Sequence, residues 1–183
     1  MSAREGYEAV VYDLDGTLVR LQVDWNAVAD DLTALLSEAG HDAPAGTWAC
    51  LDAAESVGLG DDAHERIAAH ELSGATASTR LPLADEVLDV VAPIGVCSLN
   101  AEPAVRAALD HHDLTPHVDA VVGRGTIPER KPDPEPLRHT VREMGGSLSD
   151  TLFVGDSASD EETARRAGTD FAYVGDGPTN LGR

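Results

Sequence analysis

Lysine is nearly missing from this chain: twelve arginines are accompanied by a single lysine, Lys131. Basic charge is scarce altogether, with 13 Lys and Arg against 33 Asp and Glu and a formal net charge of −20. Such a surface repels nucleic-acid phosphate and anionic lipid, so neither is expected as a partner. The acids are scattered rather than gathered in a block, which excludes an acidic disordered arm. Heat adaptation enriches Lys together with Glu and does not account for the pattern. An acidic excess almost free of lysine points to a salt-rich cytoplasm, where screening relieves self-repulsion. Cysteine is limited to Cys50 and Cys97, which lack metal-ligand spacing and are expected as buried thiols. No apolar run is long enough to span a bilayer, and the opening MSAREGYEAV has no signal-like apolar core. A cytoplasmic location with no membrane partner is therefore expected. No repeat or low-complexity tract is present, and the composition leaves the oligomeric state open.

What the chain does have is concentrated in residues 9 to 18, AVVYDLDGTL. An apolar run delivers two aspartates, Asp13 and Asp15, and stops at Gly16-Thr17. Open α/β sheets place their ligands at the C-terminal ends of strands. Paired acids there can serve as nucleophile, acid/base and hard-metal ligand. Taken alone, the stretch also reads as a strand followed by an Asp-Gly turn. Three further features follow in order. Ile94 to Ser98, IGVCS, is an apolar run ending in a hydroxyl, with Asn100 two residues on. Lys131 lies in RKPDPEPL. Asp156 and Asp160 lie in LFVGDSASDEETARRAG, just after an apolar run from Thr151 to Gly155. Each has an ordinary reading by itself: Ser98 a strand-end hydroxyl, Lys131 a surface lysine, Asp160 a helix N-cap. Cys97 adjoins Ser98 but faces the other side of its strand, so it is read as core.

After residue 80 the chain alternates strand and helix. Strands are expected at Ile94–Ser98, Val118–Val122, Thr151–Gly155 and Phe171–Val174. Helices are expected at Leu83–Val91, Pro103–His111, Glu135–Met144 and Asp160–Ala167. With the first strand this gives five, the pattern of a parallel sheet covered on both faces. Residues 13 and 98 are 85 positions apart, whereas one βαβ crossover needs about 30 residues. The surplus is an insertion. It carries helical spacing over residues 24 to 39, with Asp24 able to cap and Trp25, Val28, Leu32 and Leu35 recurring. Similar spacing runs over Thr47–Val57, and a third, less apolar helix over Asp62–Leu72. Trp25 and Trp48 are expected in the core of this insertion. Arg20, just beyond the first aspartates, fits a substrate contact and a surface residue equally.

The first stretch, DLDGTL, resembles the first motif of the haloacid dehalogenase superfamily, whose members are mostly phosphatases. The three later features match its remaining motifs in order, across most of the chain outside residues 21 to 80. One departure stands out: the family places its Asn directly after the hydroxyl residue, and here Leu99 intervenes before Asn100. The resemblance implies a Rossmann-like core, residues 1–20 and 81–183, with the first strand central and a small helical cap, residues 21–80. It implies Asp13 as nucleophile and Asp15 as acid/base. Ser98, Lys131 and, as a further candidate, Asn100 would bind phosphate. Mg²⁺ would be held by Asp13, the Asp15 carbonyl and Asp156, with Asp160 in the outer shell. The activity implied is hydrolysis of a small phosphorylated metabolite, phosphoglycolate among the candidates. Dehalogenation needs no leaving-group acid, yet Asp15 is present. Schiff-base phosphonate cleavage needs a cap lysine, and residues 21 to 80 contain none. A phosphosugar mutase of the same superfamily keeps both aspartates and stays open. So does a phosphate-binding protein that retains the fold without catalysis.

Overall fold

Four consecutive apolar residues, Ala9–Tyr12, form β1, and all four are buried. Alternate side chains leave a strand on opposite faces. Val10 and Tyr12 join one hydrophobic cluster, while Val11 joins the other. A strand buried on both faces belongs inside a parallel sheet covered by helices. The computed structural model, which describes residues 6–175, places β1 there. In chain order it is followed by β2 (Val19–Arg20), α1 (Trp25–Glu38), α2 (Thr47–Ser56), α3 (Gly60–Thr76), β3 (Thr79–Arg80) and α4 (Pro82–Val87). Then come β4 (Ile94–Ala101), α5 (Glu102–His111), β5 (Ala120–Arg124), α6 (Glu135–Glu143), β6 (Thr151–Gly155), α7 (Ala158–Ala167) and β7 (Asp170–Tyr173).

The main sheet has the order β5-β4-β1-β6-β7, and every neighbouring pair is parallel. Val105, Ala108 and Leu109 of α5 cover one face with Val10, Tyr12, Val96 and Val154. Leu137 and Val141 of α6 and Ala164 of α7 cover the other with Val11, Cys97 and Phe153. The five-stranded α/β sandwich expected from the alternation is therefore present, with the first strand at its centre.

Helices α1 to α3 form the insertion. It leaves and rejoins through a short antiparallel pair, Val19 opposite Arg80 and Arg20 opposite Thr79. Asp24 caps α1 by accepting from the Asn26 and Ala27 N–H groups at 3.0 and 3.2 Å. Val28, Leu32, Leu36, Cys50, Leu51 and Ile67 fill a separate core. Gly74 lets α3 approach the segment that follows β2: a Cβ there would lie 2.8 Å from the Gln22 carbonyl oxygen.

Three expectations need correction. Trp25 and Trp48 are not core. They are 36% and 46% exposed and lean on each other with ring centroids 5.9 Å apart. Trp25 opens α1 and Trp48 lies in the first turn of α2, so each continues the apolar spacing at a helix start where the two rings cover each other only in part. The helix expected over Leu83–Val91 closes at Val87, and Val91 is fully exposed; only Ala92 separates it from Pro93, which favours extended backbone before it. The second core strand does not end at Ser98 but runs to Ala101. Its register against β5 shifts between Cys97 and Ala101, so Ser98 lies inside an irregularity rather than at a strand end.

Candidate active site

The C-terminal edge of the sheet gathers the acids. The Asp13 N–H donates to the Val154 carbonyl at 2.9 Å, which continues the β1–β6 pairing by one residue and aims the Asp13 carboxylate at the edge. The chain then turns tightly: the Leu18 N–H donates to the Leu14 carbonyl at 2.9 Å, and the Gly16 N–H to the Val19 carbonyl at 2.8 Å. Gly16 has φ +91°, and a Cβ on it would sit 2.0 Å from the Asp156 Oδ2 atom. Only glycine accommodates both that backbone conformation and that contact. Gly155 makes room for Asp160, whose Oδ2 would be 2.6 Å from an added Cβ.

Lys131, from the loop before α6, reaches into this cluster. Its Nζ donates to Asp13 Oδ1 at 2.8 Å, to Asp160 Oδ1 at 2.5 Å and to the Cys97 carbonyl at 3.2 Å. Asp13, Asp160 and Lys131 are all buried. Asp156 stands exposed at the rim. One carboxylate oxygen from each of Asp13, Asp156 and Asp160 lies within 4.8 Å of the others. Three carboxylates facing one ammonium leave negative charge uncompensated, and all the donors are oxygen. That set fits a hard divalent cation. Asp160 is the third residue of α7 rather than its cap. Ser157 caps the helix, accepting from the Asp160 N–H, while the Ser157 N–H and hydroxyl donate to Asp160 Oδ2 at 3.1 and 2.6 Å. Both Asp160 oxygens are thus engaged by Lys131 and Ser157.

Burial sets the electrostatics. It pushes the Asp13 carboxyl up to about 6, although the Lys131 ammonium opposes it. Burial alone would lower Lys131, but the Asp13 and Asp160 carboxylates outweigh it and hold the lysine charged. Asp15 is half-buried and raised above the ordinary carboxylate range by that burial. It accepts from the Leu21 N–H at 2.9 Å, which draws it back toward ionisation, as does nearby Arg20. Asp156 is also raised, by partial burial and then by Asp160. Cys97 is buried and pushed up to about 12 by loss of solvent, so its thiol stays protonated.

Ser98 sits beside Cys97, whose carbonyl Lys131 holds. The Ser98 hydroxyl does not reach Lys131; it donates to Asn100 Oδ1 at 3.0 Å and accepts from the Asn100 N–H at 3.2 Å. Behind this turn lies a pair that sequence reading missed, Glu71 of α3 and Arg124 at the end of β5. Glu71 is fully buried. The signal for it was available: Ala63, Ile67, Glu71 and Ala75 share one helix face at spacings of four, and a glutamate on that apolar stripe needs a buried partner. A cleft of about 870 Å³ opens between the insertion and the loop after β5, and reaches Ala101, Arg124 and Arg130.

Residues 7–168 match the family model of haloacid dehalogenase-like hydrolases. The phosphoglycolate phosphatase of Rhodospirillum rubrum is 35% identical over 184 aligned positions, covering 88% of this chain and 76% of that protein. That of Cereibacter sphaeroides strain ATCC 17029 is 31% identical, covering 92% and 85%. Among solved structures, CbbY from Rhodobacter sphaeroides in complex with phosphate superposes with a TM-score of 0.65 at 16% identity, over 97% of this chain and 90% of that one. A haloacid dehalogenase superfamily hydrolase from Geobacter sulfurreducens gives 0.61 at 21%, over 94% and 96%. These two likenesses concern the fold. Sequence relatives that span nearly the whole chain, a family match that encloses every acid of the site, and a lysine held between two of those acids lead to one conclusion: the chain belongs to the haloacid dehalogenase-like hydrolases.

Proposed function

We propose that the protein is a Mg²⁺-dependent phosphomonoesterase acting on a small phosphorylated metabolite, with residues 21–80 serving as a cap over a core of residues 1–20 and 81–183. The convergence of Asp13, Asp156 and Asp160, with Lys131 bonded to Asp13 and Asp160, carries this reading. An Asp13 carboxylate oxygen attacks phosphorus in line, and the ester P–O bond breaks as Asp15 donates a proton to the leaving oxygen. Asp15 then takes a proton from water. The water oxygen attacks the aspartyl-phosphate, which releases inorganic phosphate and restores Asp13. The raised pKa of Asp15 suits a carboxyl that must hold a proton before giving it up. Phosphoryl transfer is mostly positioning and charge neutralisation. Lys131 and Ser98 hold phosphoryl oxygens, and Lys131 also fixes the orientation of Asp13. Asp13, the Asp15 carbonyl and Asp156 would hold Mg²⁺, with Asp160 behind them. When bound, the ion offsets the repulsion between a carboxylate nucleophile and a phosphate dianion.

Relatives named as phosphoglycolate phosphatases support phosphoglycolate as the first substrate to try. The acidic composition supports a salt-rich cytoplasm as the setting. The test is phosphate release from a panel of phosphorylated metabolites in high salt, with and without Mg²⁺, for wild type and Asp13→Asn. Mg²⁺-dependent release that Asp13→Asn abolishes in a folded protein is expected. Full activity in the variant would overturn the covalent route. Isomerisation of a sugar phosphate without net phosphate release would make the protein a mutase.

A further inference from the structure

The Glu71 carboxylate, though part of the insertion, is spent entirely on the core. Oε1 accepts from Asn100 Nδ2 at 3.1 Å and Arg124 Nη1 at 3.1 Å; Oε2 accepts from the Ala101 N–H at 2.9 Å and Arg124 Nη2 at 2.8 Å. Arg124 Nη1 donates in addition to the Leu99 carbonyl at 2.8 Å. Three of these five bonds fall on residues 99, 100 and 101, the stretch that follows Ser98. This is the stretch in which β4 slips register against β5. The ladder pairs Cys97 with Val122 and resumes only at Ala101, opposite Arg124, and Glu71 and Arg124 supply further partners for the backbone and side chain in between.

Stability alone is a poor account of such a pair. Two charges buried together recover little beyond the cost of desolvating them, and apolar residues of similar volume do as well. What the pair adds is geometry. Asn100 Nδ2 is tied to Glu71, so Asn100 Oδ1 faces Ser98 and receives the single hydroxyl proton. The Asn100 N–H holds the same oxygen from the other side. A phosphoryl oxygen arriving at Ser98 needs that proton. The hydroxyl can turn to it without moving Ser98 Oγ, because the Asn100 N–H keeps its contact.

We infer that Glu71, with Arg124 behind it, is a positioning residue for phosphate binding: it acts through Asn100 on Ser98 and ties the phosphate subsite to the helical insertion. The inference rests on the assignment of Ser98 to phosphate in the proposed function.

The experiment is competitive inhibition by inorganic phosphate, together with kcat and KM, in wild type, Ser98→Ala, Glu71→Gln and the double variant. Melting curves establish that each is folded. Loss of one charge-assisted contact should weaken phosphate inhibition about tenfold in Glu71→Gln, with KM rising in parallel and kcat changing less. Because the two residues act in one chain, the double variant should bind phosphate no worse than Ser98→Ala alone. Additive losses would show a merely structural Glu71 and overturn the inference. So would unchanged inhibition in folded Glu71→Gln beside a clear loss in Ser98→Ala. If Ser98→Ala itself leaves inhibition unchanged, the phosphate assignment falls, and the inference with it. Should Glu71→Gln not fold, Asn100→Ala takes its place: it cuts the link to Ser98 while the Glu71–Arg124 pair stays. It should reproduce the loss in phosphate affinity, and wild-type inhibition in that variant would overturn the inference.

Discussion

Burial raises the Asp13 carboxyl to about 6 against the opposing ammonium of Lys131. A divalent ion binds the ionised carboxylate, so protons and metal compete. The sign follows: Mg²⁺ affinity should be flat at neutral and alkaline pH and should weaken as pH falls through about 6, by about tenfold per unit once Asp13 is largely protonated. Calorimetry in buffers of different ionisation enthalpy should detect almost no proton release near pH 8 and close to one proton per ion near pH 5. A pH-independent affinity with no proton release would remove Asp13 from the ligand set. The Asp13 position was legible in the sequence because its neighbours announce it: an apolar run before it and Gly16-Thr17 shortly after. Glu71 and Arg124 were not. They lie 53 positions apart, and neither has a local signature beyond the misplaced charge on an apolar helix face. Only the fold brings Arg124 to it.

Elements were more legible than their ends. The strand over Thr151–Gly155 falls where expected, since apolar β-branched and aromatic residues stop sharply at Gly155-Asp156. Helix α7 begins earlier than the apolar spacing suggests, because Ser157 supplies the cap and Asp160 closes the box from the third position. That cap links stability to the site, since the same carboxylate also binds Lys131. Ser157→Ala should lower unfolding free energy by about 1 kcal/mol, as for other lost caps. It also takes away the hydroxyl donated to Asp160 Oδ2, so kcat should fall at temperatures well below the melting transition. Urea titration and steady-state kinetics on the same preparation separate the two effects. Lost stability with unchanged kcat would mean that Lys131 and the backbone N–H of residue 157 suffice to hold Asp160. The end of β4 could not be read in advance, because Leu99, Asn100 and Ala101 carry no strand signature. They are held by partners from α3 and β5.

At the scale of the whole molecule the parallel sheet was legible in the strand–helix alternation, its order with the first strand central followed from the family resemblance, and the surplus of residues before Ser98 required an insertion. How the surface charge balances was less so. Arginine is mostly paired in the structure: Arg66 with Asp31, Arg80 with Asp85, Arg106 with Glu102, Arg130 with Asp52 and Glu55, Arg142 with Glu135, and Arg165 and Arg166 with Glu162. Exposed pairs of this kind contribute about 0–1 kcal/mol each, and salt weakens them. The acids outnumber the bases by 20, the formal net charge, so carboxylates are in wide excess over the cations that could pair with them. Salt therefore has two opposed effects, and the magnitudes favour relief of repulsion. Screening acts within about 10 Å at 0.1 M salt and more tightly above it, across every part of the surface at once. Molar KCl should raise the melting temperature strongly. The site carboxylates respond differently, because a monovalent ion cannot supply short-range, near-octahedral coordination. Protein treated with EDTA in molar KCl should be folded and inactive, and Mg²⁺ should restore turnover without a comparable rise in melting temperature. Melting curves and phosphate release across a KCl series, each with and without Mg²⁺, check both halves on one sample. Equal stability at low and high KCl would defeat the salt-adapted reading of the surface. Full turnover after EDTA would defeat the divalent reading of Asp13, Asp156 and Asp160.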